Sequence, residues 1–164
     1  MSHPLTTVLI VVSALGAGLI AGTFFAFSTF VMGALRRLPA AQGIAAMQSI
    51  NIEVINPVFL GTMMGTGLIC LVLLLMSVMS GSDARTLCLW AGGLLYLLGT
   101  ILVTMVFNVP RNNALARLNP EQTEAAPLWV RYVSEWTMWN HVRTAAALVA
   151  SAAFIFALRL PAAE

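Results

Sequence analysis

The chain has 164 residues, about one domain by length, of which 60% are hydrophobic and 9% charged, with a net charge of +2 and no lysine. Soluble domains carry about 25% charged residues, so this chain lacks the polar side chains that would cover a globule in water. A cytosolic enzyme and a disordered regulator are excluded, and so small and dispersed a charge leaves no footprint for nucleic acid.

The 8 arginines and 6 acidic residues cluster between long uncharged stretches. Residues 1–35, 54–82 and 86–110 each exceed the roughly 20 apolar residues needed to cross about 30 Å of hydrocarbon. Residues 144–158 are short, and span only if Val142 and Arg143 reach the interface, where arginine snorkels. The expectation is an all-α integral membrane bundle of four transmembrane helices, one domain over 1–164, with helices over about 5–35, 54–80, 86–109 and 127–160.

The first stretch has no basic residue before it and stays apolar through Phe24, Phe25, Phe27 and Phe30 to Leu35. That predicts a retained helix rather than a cleaved signal. After Arg36-Arg37, Pro39 suits a first helical turn, and Ile44, Met47, Ile50 and Val54 recur at three- and four-residue steps. An amphipathic connection over about 39–53 follows. Ser80-Gly81-Ser82-Asp83-Ala84-Arg85 reads as a tight turn of a helical hairpin. The last connection opens with Asn108-Val109-Pro110 and Asn119-Pro120, then becomes amphipathic from Pro127, with Arg131 and Glu135 as an i,i+4 pair. Trp129, Val133, Trp136 and Asn140 share a neighbouring face. Cys70 and Cys88 lie in apolar runs without a CxxC spacing, as buried thiols do. Gly18-x-x-x-Gly22 and Gly61-x-x-x-Gly65 are candidate helix contacts.

Arginine counts set the orientation. Arg36, Arg37, Arg111, Arg117, Arg131 and Arg143 fall on the side of the two long connections, against Arg85 and Arg159 on the other. The positive-inside rule then puts the long connections in the cytoplasm and the termini outside, in the inner or plasma membrane.

Polar residues converge on that same arginine-rich pole: Gln48, Asn51, Asn56, Asn108, Asn112, Asn140, His141, Arg143 and Thr144. His141 is the only histidine besides His3 and is a proton-transfer group near neutral pH or an interfacial cap. Arg143 binds an anion such as a phenolate or snorkels; Trp136 and Trp139 line a pocket or belong to an interfacial belt. Asn56-Pro57 and Asn108-Val109-Pro110 are bonded site residues or helix-end chemistry. One interior histidine gives no bis-histidine haem, and Glu53 with His141 is too few for a metal centre, so no metal is expected. No phosphate loop, nucleophile elbow, intramembrane acid or inverted repeat is present.

Several stretches resemble the DUF1772, or anthrone oxygenase-like, family of small four-helix membrane proteins. They are Ala21-Gly22-Thr23-Phe24-Phe25-Ala26-Phe27-Ser28, the segment from Gly43 to Asn51, Asn56-Pro57-Val58-Phe59, Asn108-Val109-Pro110-Arg111-Asn112, and the segment from Trp136 to Thr144. The resemblance covers most of the chain in order. It implies oxidation of an anthrone-type aromatic carbon acid by O2 without a cofactor. In that setting His141 is the base and Arg143 and Asn140 stabilise the developing oxyanion. Asn108, Asn112, Gln48, Asn51, Asn56, Trp136, Trp139, Phe25 and Phe27 then hold the substrate. A rival expectation is a non-catalytic protein that binds a quinone-like or other apolar ligand, or supports a membrane complex. The implied partners are the lipid bilayer and an apolar aromatic small molecule, not nucleic acid, and small-residue faces leave room for a homo-oligomer.

Overall fold

The computed structural model describes residues 4–78 and 83–161. The turn expected at Ser80-Gly81-Ser82, and His3, lie outside them. The described residues form helices and no strand. These are α1 (Pro4–Arg36), α2 (Ala40–Glu53), α3 (Pro57–Ser77), α4 (Ala84–Ala116) and α5 (Ala125–Arg159). All but α2 are long and apolar enough to cross a membrane, as in an integral membrane protein.

Local chemistry explains the helix ends. Asn56 accepts the Phe59 N–H at 2.9 Å and donates to the Glu53 carbonyl at 2.8 Å, so it caps α3 while fastening the end of α2 to it. Pro57 takes the first position, where an N–H has no helical partner. Asp83 caps α4 by accepting the Thr86 N–H at 2.7 Å. α3 thus starts at Pro57 rather than near Val54.

α4 departs further from expectation. Pro110 suggests a terminus, yet the helix continues to Ala116. Two π-helical stretches, Leu95–Leu102 and Thr104–Asn108, precede it. They end one hydrogen-bond register, and Pro110 falls in the first turn of the next, where its missing N–H breaks nothing. A shorter π-helical turn, Phe27–Val31, interrupts α1.

α1 packs on α5 and α3, and α4 packs on α5 and α3, closing a ring of four. The 33 residues of α1 and of α4 and the 35 of α5 make about 50 Å of helix against about 30 Å of hydrocarbon. α3, with 21 residues, matches the hydrocarbon alone. The overhang gathers at one pole, where the ends of α1 and α4 and the start of α5 meet α2. Met32, Ile44, Met47, Leu115, Trp129, Tyr132, Val133 and Trp136 form a core there. A separate core through the spans is built on Ile10, Ala17, Ile20, Leu73, Tyr96, Ala147, Ala150 and Phe154.

The close approaches occur at other glycines than the two motifs. A Cβ on Gly22, Gly61 or Gly65 would meet nothing within 4 Å, and one on Gly18 only Ser151 at 3.2 Å. One on Gly99 would collide with the Ala146 Cβ, and one on Gly43 would lie 2.9 Å from the Trp129 ring. Glycine therefore lets α5 side chains seat against the backbone of α4 in the spans and of α2 at the pole.

Candidate functional site

Arg143, at the middle of α5, is the centre of the polar pole. It is only 4% exposed. Its Nη1 donates to Thr104 Oγ1 at 3.1 Å and its Nη2 to Asn140 Oδ1 at 2.5 Å. The guanidinium carbon stands 4.0 Å from the centre of the Phe24 ring and 5.1 Å from that of Trp136, a cation held between two aromatic faces. Arg143 Nε and Asn108 Oδ1 are both buried without a hydrogen-bond partner.

No carboxylate balances this charge among the described residues. Glu135 pairs instead with Arg111 at 2.9 Å and with Arg131 at 2.7 Å. A buried cation without a counter-ion is costly in a low-dielectric setting, and such a residue marks a place where negative charge is welcome.

Asn140, fully buried, ties the cation to α1. Its Nδ2 donates to the Phe24 carbonyl and to Ser28 Oγ, both at 2.7 Å. Asn108, also fully buried, donates to the Trp136 carbonyl at 3.2 Å. One turn up, Asn112 Oδ1 accepts from Tyr132 Oη at 2.9 Å and from Trp136 Nε1 at 2.8 Å. Phe27 rests against Trp136 with ring centres 5.8 Å apart.

The other expected site residues fall elsewhere. Gln48 clamps the end of α4 by donating to the Leu115 and Leu118 carbonyls at 2.9 and 3.0 Å. Asn51 is half-buried with an unpartnered Nδ2, and Asn56 is exposed and occupied as the cap of α3. Trp139 stacks on Phe107 at 3.5 Å, away from the guanidinium. Phe25 is 56% exposed and faces outward, while Phe24, one residue earlier, supplies the aromatic face.

His141 lies on the outer side of α5, exposed. It lines a groove of about 600 Å³ between α1 and α5, together with Ser28, Met32, Arg36, Thr137 and Met138. The histidine and the buried arginine thus belong to two compartments, with Ser28 touching both. Three contributors escape sequence reading: Thr104, Ser28 and Tyr132. Tyr132 stands four residues before Trp136, so helical spacing already placed it on that face. Among the described residues no group of three His, Cys, Asp or Glu is placed to hold a metal ion.

A family model described as anthrone oxygenase matches residues 57–153. The match takes in Asn108, Asn112, Trp136, Asn140, His141 and Arg143, and leaves out α1 and α2. No curated protein and no solved structure matches the chain. The match spans more than half of the sequence, and the chain belongs to the anthrone oxygenase family, DUF1772.

Proposed function

We propose that this member of the family oxidises an anthrone-type aromatic carbon acid with O2 in the groove between α1 and α5. The observation that carries the reading is the groove itself. Its volume of about 600 Å³ suits a fused-ring ligand, and its two walls present Arg36 from α1 and His141 from α5. The apolar Met32 and Met138 offer contact for a flat ring.

The chemistry follows in three steps. His141 takes a proton from the acidic ring CH2, leaving an enolate stabilised by conjugation across the ring system. The electron-rich carbon transfers its electrons to O2 and forms a C–O bond, giving a hydroperoxide once a proton returns. Loss of water then breaks the O–O bond and leaves a quinone carbonyl. One anthrone and one O2 yield one anthraquinone and one water. The positive charges of Arg143 and Arg36 favour the anionic stages. A bilayer supplies both an apolar substrate and dissolved O2, and the arginine bias puts the pole on the cytoplasmic side.

The test is oxygen uptake by the purified protein in detergent with dithranol as substrate. His141→Ala is expected to slow uptake by about 100-fold or more. Undiminished uptake in that variant removes the base assignment. Tight dithranol binding without oxygen uptake by the wild type replaces the oxygenase with a binder of apolar aromatic ligands.

A further inference from the structure

The buried arginine does not touch the groove, yet a directed chain of hydrogen bonds leads from one to the other. Arg143 Nη2 donates to Asn140 Oδ1, and Asn140 Nδ2 donates to Ser28 Oγ. Thr144 Oγ1 donates to the Asn140 carbonyl at 2.8 Å, which occupies its only proton. The 3.2 Å contact between Ser28 Oγ and Thr144 Oγ1 must therefore use the serine proton. Ser28 accepts from the cation's side and donates onward, and the residue itself lines the groove.

We infer that Ser28 is the residue that donates a hydrogen bond to the anionic oxygen of the groove's substrate, with Asn140 and Arg143 as its positioning residues. On binding, the Ser28 proton turns from Thr144 to the enolate or phenolate oxygen. Each bond upstream polarises the next, so the charge of Arg143 reaches the ligand as a stronger O–H donor rather than by contact. The arrangement keeps the guanidinium under Phe24 and Trp136, away from water and from competing anions. It also accounts for the place of Ser28 in the π-helical turn of α1, a local change of register that aims a side chain off the regular helical face.

This inference rests on the oxygenase reading, and the experiment separates the two. Full-length protein in detergent is assayed with dithranol for oxygen uptake, and with 1,8-dihydroxyanthraquinone, whose absorbance reports ionisation of its phenol. Ser28→Ala is expected to lower kcat about 100-fold, with KM changed far less. Wild type is expected to ionise the bound dye about one pH unit lower than S28A does. Ser28→Thr keeps the hydroxyl and restores most of the rate. Ser28→Cys keeps the bulk but donates weakly, so it shows the same loss even where S28A fails to fold. Wild-type kcat and an unshifted dye in S28A and S28C overturn the role of Ser28 and leave the oxygenase standing. A Ser28-dependent dye shift without oxygen uptake retains the anion site and overturns the oxygenase. If wild type neither binds the dye nor consumes oxygen, both fall together.

Discussion

In the spans, α1, α4 and α5 set small residues around the buried rings of Tyr96 and Phe154: Ala17, Ala147, Ala150 and Ala157 are wholly buried, and Gly99 lies against Ala146. At the pole, extensions of the same three helices are wedged apart by Trp129, Tyr132 and Trp136 and bridged by asparagine side chains. Lipid tails are as apolar as leucine, so helices in a bilayer associate through close backbone approach rather than by hiding surface from water. At the pole large rings shelter polar groups, and there the chain encloses a cation between Phe24 and Trp136. The difference sets a region closed by apolar packing against one held by rings and polar side chains.

Replacing Arg143 by Met tests that division most sharply. Removing a buried unpaired charge for an apolar group of similar length is expected to leave the thermal midpoint in detergent unchanged or raised. Oxygen uptake with dithranol is expected to fall by about 100-fold. A variant that melts early yet turns over normally would make the arginine a structural element and erase the contrast. Gly99→Val probes the other region: overpacking against Ala146 is expected to cost about 1–3 kcal/mol in stability, with kcat of the folded fraction kept. Lost kcat in a stably folded G99V would show that the spans shape the site. The smallest effect is expected from Gln48→Ala, which removes the bonds to the Leu115 and Leu118 carbonyls and should cost about 1 kcal/mol of stability with the dithranol KM unchanged.

Much of this division is legible in the sequence. Charge-free stretches mark the spans because hydrocarbon tolerates so few charges, and the gathering of Asn108, Asn140 and Arg143 at one end marks the pole. The side-chain directions are less legible. A π-helical turn inserts a residue and shifts the phase of everything beyond it, so period 3.6 does not carry across Phe27–Val31 or Leu95–Asn108. Phe24 faces in and Phe25 out just before the first such shift, and α4 passes Pro110 just after the last. The resemblance makes partners of His141 and Arg143, yet residues two apart on a helix point about 200° apart. Glycine motifs mislead for a related reason, since spacing reports a smooth face but not whether another helix lies on it.

Trp90 sits at the far pole, donating to Ser77 Oγ at 2.8 Å, while Trp129 lines the groove and Trp136 lies against the cation. The chain therefore carries an intrinsic optical contrast. Two of its four indoles stand where an aromatic guest in the groove would perturb them, and Trp90 serves as a built-in reference. Fluorescence from the native protein reads occupancy of the site without a dye, a label or turnover.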